Sequence, residues 1–322
     1  MQQTAFKLNR EAAPVPGSFL GDVLRGLAEE KKTLSSKYFY DDIGSRYFDD
    51  ICELDEYYPY RTELRMLPDI SRDLAEVFHK DIDMVEFGAG SLIKIRPVLR
   101  CLDNIKRYIP IDIAGDHLLK ASQRLREDLY GIDIVPVQAD FTGDIELPDG
   151  DRRSTRMGFF PGSTIGNFSP EQAALLLKKF RESLGENSWL LIGVDTKKSP
   201  SILHRAYNDR EGVTARFNKN LLTRINRELN GTFDVDKFAH YAFYNVEEGR
   251  VEMHLISLEE QKVSVNGVDF SFDTGESIHT ENSYKYSPRE FSDLAGRAGW
   301  HTRRQWLDEN RLFSHHLLYA GS

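Results

Sequence analysis

Two glycines and two aspartates, each closing a short apolar run, are the residues whose types and spacing first suggest chemistry. In VEFGAGS, residues 85–91, Gly88 and Gly90 let the backbone approach a ligand closely at a strand end. The pattern is Gly-x-Gly with no third glycine, because position 93 is Ile93. A pyrophosphate binder uses that third glycine for close helix packing, whereas a nucleoside cofactor without phosphate, such as S-adenosylmethionine, does not need it. Asp112, in RYIPIDI, lies 24 residues beyond Gly88, where a carboxylate accepts hydrogen bonds from ribose hydroxyls. Asp140 and Phe141 close a third run and offer a polar group and a ring face to an adenine base. Taken singly, these are residues of a tight turn or a cap. Three strand ends in register favour a nucleoside.

Two further stretches suit a second ligand beside it. GSTIGNF, residues 162–168, sets Gly162 and Asn167 in a polar, backbone-rich loop, and its plain alternative is a turn ahead of a helix cap at Ser169. It differs from the Asn/Asp-Pro-Pro-aromatic loop that many nucleic-acid amine methyltransferases carry here. Residues 38–60 hold eight aromatic residues among 23, against 11% for the chain. Core packing explains most of them, Phe39 and Phe48 especially, while clustered tyrosines also present hydroxyls and ring faces suited to a methylated ammonium.

The elements that must position these residues follow from periodicity. MVEFGAG, RYIPIDI, DIVPVQADF, RMGFFPGSTIGNF and SWLLIGVDT each read as a buried strand ending in a loop, with helical spacers that predict a parallel sheet. Ser169, Pro170 and Gln172 start one crossover helix and Gly185 stops it. After residue 195 the alternation lapses: a helical stretch at 213–228 precedes the alternating patterns RVEMHLISL and VDFSF, which read as antiparallel strands of an inserted unit. Ser287, Pro288 and Glu290 start a last helix that Gly299 stops, and two strand candidates follow around 300–306 and 312–319. The expected fold is therefore α/β: a seven-stranded, mostly parallel sheet whose last strand runs antiparallel, away from the six-stranded dinucleotide fold and toward a methyltransferase-type core.

Composition narrows the classes. The 322 residues carry 42 Lys+Arg against 51 Asp+Glu, a net charge of -9, with no basic block to neutralise phosphates, so a nucleic-acid partner is not expected and a small molecule is. Cys52 and Cys101 form neither a disulfide framework nor a Cys-x-x-Cys site, and no His-x-x-x-His pair suggests a metal. The start, MQQTAFKLNREAAPVPGS, lacks an apolar signal region and no run approaches the ~20 apolar residues of a membrane span, so a cytoplasmic protein is expected.

The combination FYDDIGSRYFDDI, EYYPYRTE, EFGAGS, PIDI, GSTIGNF, RAYNDREGVTARFNKN, VEM and TENSYKY resembles the histidine-specific Nα-methyltransferases of ergothioneine biosynthesis, from about residue 37 to the C-terminus. The resemblance implies a Rossmann-like class I methyltransferase core, residues 62–196 and 286–322, that binds S-adenosylmethionine. It also implies a smaller α+β substrate domain, residues 1–61 and 197–285, that closes over L-histidine. Three methyl transfers to the α-amino group, through the mono- and dimethyl forms, would then give the betaine hercynine. A monomer is expected, though not from any residue pattern. By motif, the cofactor falls to Gly88, Gly90, Lys94, Asp112, Asp140 and Phe141. The substrate's amino and carboxylate groups fall to Tyr40, Gly162, Asn167 and Tyr207, and its imidazole to Tyr57, Met253, Glu281 and Ser283. Ala89, Asn282 and the first thirty residues depart from the pattern.

The chemistry agrees with that assignment. Methyl transfer from a sulfonium is an in-line displacement that needs alignment more than acid or metal. The amine must lose its proton before each attack, and Tyr40, passing the proton through water, is the candidate relay. Glu281 would accept the imidazole N–H while Ser283 meets the other nitrogen; an ordinary solvated pair on a strand is the alternative. A methyltransferase of another amino acid such as tryptophan, a dinucleotide-dependent oxidoreductase and a non-catalytic amino-acid-binding module are the competing readings.

Overall fold

The computed structural model describes residues 17–151 and 153–321; the remainder of the expected 1–61 segment lies outside them. Among the described residues three helices come first, α1 (Phe19–Ala28), α2 (Asp42–Glu53) and α3 (Tyr58–Ala75), with a 3-10 turn at Ser36–Phe39 ahead of α2. The second starts where Asp41 accepts the Gly44 N–H at 2.7 Å, a side-chain cap for an otherwise orphaned donor.

The core elements then alternate. β1 (Ile82–Phe87), α4 (Arg96–Cys101), β2 (Ile105–Asp112), α5 (Gly115–Asp128), β3 (Asp133–Ile134), β4 (Val137–Gln138), β5 (Thr155–Phe160), α6 (Pro170–Leu184) and β6 (Ser188–Asp195) follow in order. The predicted capping box of α6 is present, with Ser169 and Gln172 satisfying each other's backbone N–H groups. An insertion of α7 (Pro200–Tyr207), α8 (Val213–Leu229), β7 (Phe238–Asn245), β8 (Arg250–Ser257), β9 (Gln261–Val265), β10 (Val268–Phe272) and β11 (Ser277–Tyr284) comes next. The chain ends on α9 (Pro288–Arg297), β12 (His301–Leu307) and β13 (Phe313–Ala320).

The main sheet has the order β12-β13-β6-β5-β1-β2-β3, with β4 also on β2. Its central strands are parallel and β13 runs antiparallel to β6, placing Phe313 opposite Asp195. This is the expected mostly parallel sheet of seven positions, with one difference. The run DIVPVQADF forms two two-residue strands in succession on β2 rather than one long strand. Pro136, between them, has no N–H for the ladder.

Helices cover both faces of the sheet. Phe87, Phe180, Phe291 and Trp300 fill one side, and Leu67, Met84, Tyr108 and Leu191 the other. A third cluster joins Val23 and Phe39 to Phe217, Leu255 and Phe272, so the N-terminal helices and the insertion share a core. α3 spans the two regions: Tyr58 packs in that third cluster and Leu67, Ile70 and Leu74 beneath the sheet. Among the described residues no helix is long and apolar enough to cross a membrane.

Candidate active site

A cavity of about 1200 Å³ opens at the carboxyl ends of β1, β2 and β5, the edge at which such sheets bind ligands. All six residues assigned to the cofactor line it: Gly88, Gly90, Lys94, Asp112, Asp140 and Phe141. Gly88 and Gly90 have φ of +69° and +54°, the left-handed region that favours glycine. A Cβ on Gly88 would sit 3.1 Å from the Phe141 ring, whereas one on Gly90 would meet nothing within 4 Å. The first glycine admits the ring and the second keeps the cavity open. Asp112 accepts from Gly90 N and Ala114 N, at 2.9 Å each, one on either oxygen, so it fixes the glycine turn and retains lone pairs for a further donor. Asp140 Oδ1 accepts from the Thr142 N–H and hydroxyl at 2.9 and 2.6 Å, leaving Oδ2 unpartnered among the described residues. Open backbone, two carboxylates with spare acceptors and an edge-packed ring fit an adenosyl group.

Lys94 is held by a residue that motif reading missed. Its Nζ lies 2.8 Å from Glu63 Oε2. Glu63, fully buried on α3, also accepts the Gly162 N–H on both oxygens, at 3.0 and 2.9 Å, and has His315 Nε2 at 3.3 Å. Burial pushes this carboxyl up, yet Lys94 and His315 outweigh it and hold the pKa at about 2. Glu86, on the cavity wall at the end of β1, goes the other way: burial lifts it to about 8, even though Tyr108 donates to it.

The loop after β5 turns on Gly162 and Ser163, at φ +79° and +57°, into a 3-10 turn at Thr164–Asn167. A Cβ on Gly166 would fall 2.7 Å from the Tyr284 carbonyl, so only glycine lets this turn dock on β11. Docking sets Gly162 and Asn167 on the wall of the cavity, together with Tyr40.

The other assigned substrate residues stand behind that wall. Tyr40 meets Phe48 edge-on at 5.7 Å, Phe48 meets Tyr57 at 6.3 Å, and Tyr57 meets Tyr207 at 6.3 Å. Phe48, read from the sequence as core, thus joins the cavity to the second group and lines the cavity itself. On β11, Glu281 faces Met253 of β8 across the ladder, and Ser283, two residues on, shares its face. Tyr207 Oη donates to Ser283 Oγ at 2.8 Å. The Glu281 carboxylate is half-buried with no hydrogen-bond or ion-pair partner among the described residues; burial lifts its pKa to about 7, against a small opposing pull from Lys285. Burial, reinforced by Glu281, likewise holds the Tyr40 phenol well above its ordinary value, further from forming a phenolate.

Two clusters lay beyond sequence reasoning. Asp195, at the end of β6, is buried with Tyr58, Lys198 and Lys285 around it, and the alternation Glu281, Ser283, Lys285 was the available signal for the last. Burial lowers Lys198 to about 8 against the opposing pull of Asp195. Glu252, His254 and His279 bring ligand-type atoms within 4.8 Å of one another on β8 and β11, a grouping that motif spacing did not predict. Asn245 and Arg250 already engage that carboxylate.

Curated relatives resemble the chain over most of its length. A histidine N-alpha-methyltransferase of Mycobacterium tuberculosis (strain CDC 1551 / Oshkosh) is 39% identical over 89% of this chain and 90% of its own. One of Mycolicibacterium smegmatis is 38% identical, with the same coverage. An L-tryptophan methyltransferase of Psilocybe serbica is 27% identical over 90% of both chains. Residues 19–320 match the family model of the histidine-specific, S-adenosylmethionine-dependent methyltransferases, and the chain belongs to that family.

Proposed function

We propose that this enzyme transfers three methyl groups in succession from S-adenosylmethionine to the α-amino group of L-histidine, giving hercynine, a step toward ergothioneine. The observation that carries this reading is Glu281: an unpaired, half-buried carboxylate beside Ser283 and Met253, behind a cavity that fits an adenosyl group. A half-buried carboxylate without a partner is costly, and an imidazole N–H would relieve that cost. The relatives at 39% and 38% identity are named for the same reaction.

In this reading Gly88, Gly90, Lys94, Asp112, Asp140 and Phe141 hold the cofactor. Bound there, S-adenosylmethionine supplies an electrophilic methyl group on a sulfonium. The protein's part is alignment: Gly162, Asn167 and Tyr207 orient the substrate's amino and carboxylate groups, while Glu281, Ser283, Met253 and Tyr57 fix the imidazole end. Tyr40, a neutral phenol whose pKa partial burial raises further, relays the amine's proton through water rather than acting as a phenolate base. Ring faces of Tyr40, Phe48 and Tyr57 suit the mono- and dimethylated intermediates, since each transfer removes an N–H donor and the last leaves a permanent cation. The division into a cofactor core, 62–196 and 286–322, and a substrate domain, 1–61 and 197–285, is supported by the shared core of the N-terminal helices and the insertion.

The tryptophan relative gives a second reading, against which Glu281 and Met253 both weigh, because an indole pocket has no use for an unpaired carboxylate. The test is mass spectrometry of the protein incubated with S-adenosylmethionine and each amino acid in turn. Histidine gaining three methyl groups is expected; methylated tryptophan with unmodified histidine would reverse the assignment.

A further inference from the structure

Lys285 is 1% exposed, and each of its three N–H donors has a partner: Ser283 Oγ at 2.7 Å, Tyr207 Oη at 3.0 Å and Asp195 Oδ2 at 2.7 Å. An ammonium donates three times and accepts nothing, so both hydroxyls must accept from it. The Tyr207 phenol, a stronger acid than an aliphatic alcohol, donates its own hydrogen to Ser283 Oγ at 2.8 Å. Ser283 Oγ therefore accepts twice, from Lys285 and from Tyr207, and its two lone pairs are used. Its remaining hydrogen has no acceptor among the described residues, and it sits on the face of β11 that carries Glu281.

We infer that Lys285 is a positioning residue that fixes Ser283 as a hydrogen-bond donor toward the substrate ring, so the pocket selects a ring bearing one N–H and one bare nitrogen. This rests on the histidine reading above. Glu281 accepts and Ser283 donates, which is the complement of a neutral imidazole. An indole, with its N–H but no second nitrogen, leaves the Ser283 hydrogen buried and unpaired, as does an imidazolium, which carries hydrogens on both nitrogens. Without Lys285, Ser283 is free to turn its hydrogen to Tyr207 and the donor requirement lapses.

The experiment compares kcat/KM for L-histidine with that for a pyrrolylalanine, which keeps one ring N–H and has C–H in place of the bare nitrogen. The wild-type enzyme should favour histidine by roughly 10–100-fold, the cost of one unpaired buried donor. Lys285→Met should reduce that ratio to about threefold or less, with affinity for S-adenosylhomocysteine unchanged. Lys285→Gln, whose amide oxygen can accept the Ser283 hydrogen and which leaves Asp195 paired with Lys198, serves the same comparison if Lys285→Met is unstable. A role in stability alone would lower both substrates together, and an unchanged ratio overturns the inference. A wild-type ratio near one, or no methylation of histidine, overturns the pocket reading and this inference with it. A second measurement needs no variant: the ¹⁵N spectrum of ring-labelled L-histidine bound to the wild-type enzyme with S-adenosylhomocysteine at about pH 6, near the imidazole's own pKa. One protonated and one bare nitrogen are expected; two protonated nitrogens refute the donor assignment.

Discussion

Glu63 on α3 and Lys94 in the loop after β1 meet at 2.8 Å, and the same carboxylate accepts the Gly162 N–H, so one buried group ties the loop after β1 to the loop after β5. Its pKa of about 2 lies below the unfolded value near 4.5, so the stabilisation is complete above about pH 4.5 and is lost as pH falls toward 2. The shift corresponds to an order of 3 kcal/mol. Glu63→Gln should therefore lower the Tm at pH 7 by several degrees and weaken S-adenosylmethionine binding about tenfold, since Lys94 loses its anchor. Calorimetric titration and a thermal melt check both; unchanged cofactor affinity would take this ion pair out of the site.

Gly88 and Gly90 look alike in sequence and differ in what surrounds them. Alanine at either pays for a left-handed φ, roughly 1 kcal/mol. At Gly88 the new methyl also presses on Phe141 at 3.1 Å, while at Gly90 it enters open cavity. Gly90→Ala should hence reduce cofactor affinity at least tenfold with a small change in Tm, and Gly88→Ala should lower both. Equal cofactor affinity for Gly90→Ala and wild type would mean that nothing binds against that face.

Local signals were legible and distant ones were not. The Ser169 and Ser287 capping boxes are written within four residues, and both are present. The strand ends carrying Gly88, Asp112 and Asp140 converge on one cavity because parallel strands share one carboxyl edge. Glu63 is different: its partners, Lys94, Gly162 and His315, come from three separate stretches, and nothing in RTELRM marks that carboxylate as buried. Asp195 and Lys285 are likewise joined only by the closing of β6 against the end of β11. Phe48 was read as core because an aromatic residue on a helix does not disclose which of two packed surfaces it faces. Pro136 is a local signal of the opposite sort, since its missing N–H divides the third strand in two.

Tyr40 is the only tyrosine assigned to substrate that also lines the cofactor cavity, which places it where an amine and a methyl donor would meet. As the proposed neutral relay it would lower the barrier to deprotonation while its ring faces the substrate's amine, and it would not hold the cofactor. Tyr40→Phe should reduce kcat about 10–100-fold, at or below the lower end of the usual range for general acid–base catalysis, while leaving cofactor affinity unchanged. Single-turnover kinetics with histidine checks this, and a kcat within twofold of wild type would remove Tyr40 from proton transfer.

Glu281 places binding and stability in opposition. Its folded pKa of about 7 lies above the unfolded value near 4.5, so without substrate the folded state binds more protons than the unfolded chain between those limits. The sign follows: stability falls as pH rises from about 4.5 to about 7, by at most about 3 kcal/mol, and the cost persists above that range. Glu281→Gln is neutral at every pH and escapes the cost, so its Tm should exceed that of wild type at pH 8 and match it near pH 5. The same variant cannot accept a ring N–H as strongly, and its KM for histidine should rise at least tenfold with cofactor affinity unchanged. Thermal melts at the two pH values and steady-state kinetics read the two effects separately. A variant that is no more stable at pH 8 would show that the carboxylate already has a partner in the free enzyme, and an unchanged KM would place the imidazole elsewhere.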